Sequence, residues 1–458
     1  MHKINFNEPC HVHFIGIGGI SMSGLAEILL KEGFAISGSD TKASALTEHL
    51  TNMGATVFYP QCASNVIDGI DIVVYTAAIH EDNEEFMEAK RQGLPMLSRA
   101  ELLGQLMGNY KTPIAISGTH GKTTTTSMLA HILLEAKKDP TISVGGILKA
   151  IDGNIRVGNS DVFVTEACEY TNSFLHFSPL ISVILNIEED HMDFFKDIDD
   201  IRNSFHQFAS LLPENGTLVI NKNIAHIEAV TNQLECRIIT YSETQEADYA
   251  AENIAFDHFG NASFDFIRYG EFVERITLSV AGKHNVSNAL SSIAVAECLD
   301  IPMDVIKKGI FSFTGTDRRF QYKGVRDGVT IIDDYAHHPT EIKATLTSAQ
   351  NYPHREIWCI FQPHTYTRTK AFFHEFAEAL SLADHVVLAD IYAARETDTL
   401  GMTSQALARE IESLGTDTYY FSSFQEIKDF VSKKCIHGDL LITMGAGDVV
   451  NIGEDLLK

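Results

Sequence analysis

Short apolar runs separated by stretches of helical periodicity recur along the whole chain. The first run, residues 12–17, ends in glycines and leads into apolar positions at helical spacing as far as Lys31. Runs at 34–37 and 71–76 predict two further buried strands, and 95–96 opens another before a helix over 101–107. Strands alternating with helices in this way predict a parallel α/β unit. Lys111-Thr-Pro113 interrupts the pattern. A second α/β series then begins with a strand over 114–117 and continues at 162–165, 181–186 and 217–221. Residues 236–280 alternate apolar and polar positions, which predicts an antiparallel section, and 281–299 reads as a helix. A third series opens near Arg319, with strands at 329–333, 357–362, 385–389 and 440–444. There is no internal repeat at solenoid spacing and no low-complexity tract.

A chain of 458 residues is long for one hydrophobic core. The punctuation predicts three α/β domains, over residues 1–111, 112–317 and 318–458. No run approaches the roughly 18 apolar residues of a membrane helix, and the N-terminus lacks the apolar core of a signal peptide. Seven scattered cysteines without a C-x-x-C pair argue against a disulfide framework or zinc knuckle and fit a reducing cytoplasm. A formal charge of −26 argues against nucleic-acid binding. It also requires any anionic substrate to be met by a local cluster of Lys, Arg and helix N-termini.

Ile114-Ala-Ile-Ser-Gly-Thr-His-Gly-Lys-Thr-Thr-Thr-Thr126 reads as strand, tight turn and helix start. Its loop comprises Gly118, Thr119, His120, Gly121, Lys122, Thr123 and Thr124. Glycines let successive N–H groups point at phosphate oxygens, and the helix dipole adds partial positive charge there. The spacing G-x-x-G-K-T is shorter than the usual phosphate loop, because Ile116 stands where the first glycine would fall. In such loops the lysine, here Lys122, reaches the β/γ-phosphates of a nucleoside triphosphate, and the hydroxyl of Thr123 ligates Mg²⁺. The alternative is a turn with no ligand. Gly16-Ile-Gly-Gly-Ile-Ser-Met-Ser-Gly24 also follows a strand and opens a helix, and Asp40 ends the next strand. That is most of a dinucleotide-binding fingerprint, with Ser21 at the third glycine position. A dinucleotide, another nucleotide diphosphate and a purely structural turn all remain open, the first two sharing a diphosphate on a helix N-terminus.

Glu166 follows the strand over 162–165, where a phosphate-loop fold places a magnesium-binding carboxylate. His191 lies just past the next strand, so Glu166 and His191 are candidate ligands for one or two Mg²⁺ ions. Glu188, Glu189, Asp190 and Asp193 read as a solvated acidic loop, and Cys168 as a packed residue rather than a nucleophile. In the last segment, Thr316-Asp-Arg-Arg-Phe320, Asp333-Asp-Tyr-Ala-His-His-Pro-Thr340 and Phe361-Gln-Pro-His-Thr-Tyr-Thr-Arg368 gather His, Tyr and Arg. The second and third of these follow strands. Such groups suit recognition of carboxylates and phosphates, though each stretch alone also reads as a surface loop.

Taken together, these motifs resemble the Mur ligases of peptidoglycan synthesis across nearly the whole chain. The stretches that carry the match are Phe14–Gly24, Gly118–Thr124, Asn186–Asp193, Gly282-Lys-His-Asn-Val-Ser-Asn288, Asp333–Pro339 and Phe361–Thr369. The resemblance implies a Rossmann-like N-terminal domain for a uridine diphosphate sugar, a P-loop-type central ATPase domain, and a smaller Rossmann-like C-terminal domain closing over the site. It implies ATP and Mg²⁺ as cofactors, with Lys122 at the β/γ-phosphates and Thr123, Glu166 and His191 serving the metal. His284, Asn285 and Asn288 would lie at the adenine, with Arg319 and Asp333 near phosphates and ribose. Gly16, Gly18, Gly19, Ile20, Ser21 and Asp40 would hold the sugar nucleotide. Tyr335, His337, His364 and Arg368 would face the incoming amino acid. Lys122, His337 and Arg368 would be catalytic, and His337 and Asp334 are both candidates for the general base. Some relatives that add later amino acids use a carbamylated lysine where this chain has Phe205, which favours the branch joining L-alanine to the lactyl carboxylate of UDP-N-acetylmuramate through an acyl phosphate. The enzyme implied is cytoplasmic, a monomer or homodimer, without nucleic-acid or membrane partners. The chain departs from the family at Cys168 (often Asp), Tyr170 (often Ser) and Thr365 (an Arg in other members).

Overall fold

The computed structural model describes residues 2–458 except 77, 78, 193, 395 and 399. Asp193 of the acidic loop therefore lies outside the described residues. The chain divides into two compact units, one made of Met1–Tyr241 and Ser291–Pro302, the other of Ser242–Leu290 and Met303–Lys458.

The first unit begins with a parallel sheet of β1 (His11–Ile15), β2 (Ala35–Ser39), β3 (Thr56–Phe58), β4 (Ile72–Tyr75) and β5 (Met96–Ser98), in the order β3-β2-β1-β4-β5. Strand order reverses beside β1, so the glycines after it sit at the carboxyl end of the sheet where the crossovers diverge, the usual ligand position of an open α/β sheet. The same unit contains β6 (Thr112–Ser117), β7 (Thr141–Leu148), β8 (Gly153–Arg156), β9 (Val162–Ala167), β10 (Ile181–Ile184), β11 (Thr217–Asn221) and most of β12 (Arg237–Ser242). Their order is β12-β11-β10-β6-β9-β7-β8, all parallel except the edge strand β8. β6 is therefore flanked by β9 and β10, and its loop emerges between them. The strand interiors are almost wholly apolar, as a sheet covered on both faces requires.

The second unit carries the antiparallel strands β13 (Tyr249–Phe256), β14 (Asn261–Arg268) and β15 (Glu271–Ala281). It also carries a sheet of β16 (Gln321–Arg326), β17 (Val329–Asp334), β18 (Ile357–Phe361), β19 (His385–Leu388), β20 (Asp417–Tyr420) and β21 (Leu440–Met444). The order is β16-β17-β21-β18-β19-β20, parallel apart from β16. The carboxyl ends of β17 and β18 thus flank β21, which brings the two strand-end motifs onto one edge.

The α/β class and the three sheets match the expectation from the sequence. Two details differ. β12, which opens the stretch expected to be antiparallel, pairs parallel with β11; alternation reports a half-buried strand, not the direction of its neighbour. Glu166 lies inside β9 rather than after it, in register with Ile116 of β6. Phe205 is fully buried, edge-on to Phe174 at 5.3 Å, and Phe174 stacks on Phe208 at 4.5 Å. That position is committed to the apolar core.

Candidate functional site

The phosphate loop is shaped by what flanks it. Register places Ser117 beside Ile184 of β10 and Ala167 of β9, so Gly118 emerges in a slot between two strand ends. Gly118 has φ +138°, and a Cβ there would stand 2.9 Å from Leu185 Cβ and 3.1 Å from the Asn186 nitrogen. No other residue fits that turn. The following residues are clamped by the strand end: Thr119 N–H donates to Asn186 O (3.2 Å), His120 N–H to Asn186 Oδ1 (2.7 Å), and Glu188 N–H to Thr119 Oγ1 (3.0 Å). The helix Lys122–Glu135 starts directly after Gly121, with no side chain capping its N-terminus.

Lys122 folds back over this loop. Its ammonium donates to Gly118 O, to Thr119 O at 3.1 Å and to Glu169 Oε2 at 3.0 Å. Burial draws the Lys122 pKa down, but the neighbouring groups, Glu169 foremost with Cys168 and Glu166, together outweigh it, so the pKa ends raised and the side chain stays charged. Thr123 Oγ1 donates to Glu166 Oε2 at 3.1 Å, and Gly145 N–H donates to Glu166 Oε1 at 2.5 Å. Thr123 and Glu166, both expected at the metal, are thus joined by a hydrogen bond. His191 sits with Nε2 3.8 Å from Glu169 Oε1, its ring stacked on Tyr170 at 4.5 Å. Tyr170 therefore has a definite task, covering the face of His191. Thr123 and Glu166 offer oxygen donors of the kind a hard divalent cation takes, so this pair fits Mg²⁺.

Glu169 was not singled out by its spacing, yet it is the residue that ties Lys122 to His191. It is 2% exposed, and a buried carboxylate in that position needs a cation beside it. Burial raises the Cys168 thiol above its ordinary pKa, with the Glu169 charge adding to the effect. That suits a packed residue rather than a nucleophile. Asp190 is not solvated as the acidic-loop reading expected: it is 8% exposed, and its Oδ1 accepts from His191 N–H at 2.7 Å. Glu188 stands 3.6 Å from His120 Nε2.

At the N-terminal glycines, Gly18 N–H donates to Asp40 Oδ2 at 2.8 Å, and Gly16 and Ile17 both donate to Ser39 O at 2.9 Å. Gly19 precedes the helix Ile20–Lys31, which has no side-chain cap and no acid in its first turn. Ser21 Oγ accepts from Arg99 Nη1 at 3.0 Å. The result is an uncapped helix N-terminus with Asp40 beside it.

In the second unit, His284 is exposed at the start of helix His284–Cys298. Asn285 Nδ2 donates to Ala281 O at 2.7 Å, and Asn288 Nδ2 to Asn285 Oδ1 at 3.0 Å. Asp333 is fully buried and accepts from Arg318 Nε (3.1 Å) and Thr443 Oγ1 (2.6 Å). Its close basic partner is Arg318, whereas Arg319 lies 3.6 Å from Glu341. Arg318 and Arg319 both lie over the Tyr335 ring, at 4.8 Å and 5.4 Å. His337 Nδ1 meets Tyr335 O (3.1 Å) and Glu341 Oε2 (3.2 Å), and its ring is edge-on to His364 at 5.6 Å. Arg368 Nη1 stands 3.2 Å from His364 Nδ1. Tyr335, His337, His364 and Arg368 thus form one continuous cluster. Glu341, which organises it, was missed because it sits inside the helix Pro339–Gln350 and reads as a surface acid. Thr365 caps the short helix Tyr366–Ala371 through Arg368 N–H (3.4 Å). Asp334 accepts from Phe320 N–H, Ala336 N–H (both 2.8 Å) and Thr345 Oγ1 (3.1 Å), so both its oxygens are engaged.

Comparison with known proteins agrees along the whole chain. Residues 11–111 match the model for the Mur ligase family catalytic domain, 116–296 the Mur ligase middle domain, and 318–447 the Mur ligase glutamate ligase domain. The UDP-N-acetylmuramate–L-alanine ligase of Lachnospira eligens is 58% identical and that of Agathobacter rectalis 59% identical, each over 100% of both chains. The crystal structure of UDP-N-acetylmuramate-alanine ligase MurC from Thermotoga maritima covers 98% of both chains at 28% identity, with a TM-score of 0.83. A murein peptide ligase from Psychrobacter arcticus covers the same share at 25% identity, with a TM-score of 0.71.

Two predictions follow from the geometry. A double-mutant cycle of Lys122→Ala and Glu169→Ala, read by denaturant midpoints, yields a coupling energy of about 1.5–3 kcal/mol, the range for a hydrogen bond to a charged group; additive effects would contradict the pairing. Burial pushes the Asp334 carboxyl up to about 6, well above the ordinary carboxylate range. A raised native pKa favours folding below the unfolded value and loses that contribution as pH rises through the native one. Wild-type stability relative to Asp334→Asn therefore falls between about pH 4 and pH 7, by up to about 3 kcal/mol. A pH-independent difference in denaturation midpoint would exclude the shift.

Proposed function

The chain belongs to the Mur ligase family, and from that premise we propose that it joins L-alanine to the lactyl carboxylate of UDP-N-acetylmuramate with cleavage of ATP to ADP and phosphate, a step of peptidoglycan precursor synthesis. The observation that carries this is full-length identity of 58% and 59% to ligases of that specificity, together with the Lys122–Glu169 and Thr123–Glu166 pairs at the phosphate loop.

In this reading residues 1–111 hold the sugar nucleotide, with its diphosphate at Gly16, Gly18, Gly19, Ile20 and Ser21 and with Asp40 beside them. Residues 112–317 hold ATP through Gly118, Thr119, His120, Gly121, Lys122, Thr123 and Thr124, with His284, Asn285 and Asn288 at the adenine. Residues 318–458 supply Arg319 and Asp333 to the nucleotide and Tyr335, His337, His364 and Arg368 to the amino acid. Thr123, Glu166 and His191 serve Mg²⁺, which when bound offsets the charge of the phosphate oxygens. No helix among the described residues is long and apolar enough to cross a membrane; the reaction is assigned to the cytoplasm, where ATP and the sugar nucleotide meet.

The chemistry divides into two steps. A lactyl carboxylate oxygen attacks the γ-phosphorus, the bond to the β-bridging oxygen breaks, and ADP leaves with an acyl phosphate remaining. Lys122 stays protonated throughout and stabilises the charge on the transferring group. The amine of L-alanine then attacks the acyl carbon, and phosphate departs with the former carboxylate oxygen. The proton lost from the ammonium goes to His337. With Nδ1 directed at Tyr335 O and Glu341, the lone pair is on Nε2. Asp334 is the poorer base because both its oxygens already accept hydrogen bonds. Arg368, beside His364, meets the amino-acid carboxylate.

The test is ADP release in the presence of UDP-N-acetylmuramate with L-alanine or with a preformed tripeptide. Turnover with L-alanine and none with the tripeptide is expected; preference for the tripeptide would assign the chain to the murein peptide ligases instead. Lys122→Ala lowers kcat by at least about 100-fold, the scale of losing one charge-stabilising donor, and full turnover in that variant would sink the mechanism.

A further inference from the structure

The strands β7 and β8 form a hairpin between the phosphate-loop helix and Glu166, and it reaches both ligand sites of the first unit. On one arm, Gly145 N–H donates to Glu166 Oε1, while Glu166 Oε2 accepts from Thr123. On the other arm, Asn154, 6% exposed, donates from Nδ2 to the carbonyl of Ile20 at 3.0 Å. Ile20 is the first residue of the helix whose N-terminus follows Gly19. The next residue, Ile155, lies so close to that helix that a Cβ on Gly24 would stand 2.0 Å from Ile155 Cγ1. Only glycine permits this approach.

The two arms are tied together by strand pairing. Ile155 pairs across the hairpin with Ser143, and Ser143 pairs with Thr165, the residue before Glu166. Backbone pairing therefore joins Ile155, which packs on the helix of the N-terminal glycines, to Thr165, the residue before the one whose carboxylate is bonded to Thr123. A ligand that draws on Glu166 and Thr123 restrains the hairpin. So does a ligand that fixes the start of helix Ile20–Lys31. Each then meets a segment the other has already ordered, and coupling of that kind needs no displacement.

We propose that Asn154 is a positioning residue through which the sugar-nucleotide site and the phosphate–metal site are coupled, so that filling either strengthens binding at the other. This rests on the assignment of those two sites made above. Reciprocity follows, because the same factor must appear whichever ligand binds first.

Calorimetry on the full chain tests it. The dissociation constant of UDP-N-acetylmuramate is measured with and without saturating AMP-PNP and Mg²⁺, in wild type and in Asn154→Ala. The wild type binds the sugar nucleotide at least about fivefold more tightly with AMP-PNP present, and Asn154→Ala reduces that factor to under about twofold. AMP-PNP affinity alone is unchanged. The substitution leaves the Ile20 carbonyl bonded to Ser23 Oγ (2.9 Å), so the helix start keeps its own contact. Gly24→Ala, which forces Ile155 away, gives the same loss by a different route. An equal factor in wild type and both variants overturns the proposal. So does a wild type without coupling, or a variant that binds the sugar nucleotide more weakly by the same amount with and without AMP-PNP. A wild type that binds neither ligand would contradict the site assignment instead.

Discussion

The slot between β9 and β10, into which Gly118 turns at φ +138°, governs everything that follows it in the first unit. A side chain there would collide with Leu185 and the Asn186 nitrogen. Because the turn is fixed, Thr119 and His120 fall into hydrogen bonds with Asn186, and the next helix must begin at Lys122. The lysine then returns over the loop carbonyls to Glu169, and the hydroxyl one residue later meets Glu166. One backbone constraint thereby sets the positions of an ammonium, a hydroxyl and, through them, two carboxylates.

The chain as a whole carries a formal charge of −26 while acting on substrates that are themselves anions. It resolves this locally. Lys122 is paired with Glu169, Arg318 with Asp333, and Arg319 stands near Glu341. Each cation is held in place by a carboxylate at the carboxyl end of a sheet or on the helix that follows it. The positive charge at the sites is thus oriented before substrate arrives, which is the condition under which electrostatic stabilisation acts without reorganisation.

Much of this was legible in the sequence, for identifiable reasons. Parallel strands covered on both faces give unbroken apolar runs, so β6, β10, β11 and β21 stand out in the sequence, and the glycine loops announce themselves through the backbone freedom they require. The hairpin β7–β8 was not visible, because Gly145-Gly146 and the turn at 149–152 break any strand period, and the hairpin's importance lies in what its two ends touch. Glu169 and Glu341 were missed for another reason. A carboxylate that organises a neighbouring lysine or histidine has no spacing of its own; only the fold shows which basic group it faces. Asp190 misled in the opposite sense: an acidic run looks solvated, but its carboxylate turns back onto the His191 amide.

The central claim is that the nucleotide held by the Gly118 loop activates a carboxylate by phosphorylating it. Synthesis of the product from UDP-N-acetylmuramate labelled with ¹⁸O in the lactyl carboxylate, followed by mass analysis of the released phosphate, tests this most directly. Transfer of one ¹⁸O atom into phosphate per amide formed is the expected result. Phosphate free of the label, with amide formation undiminished, would contradict the acyl-phosphate route.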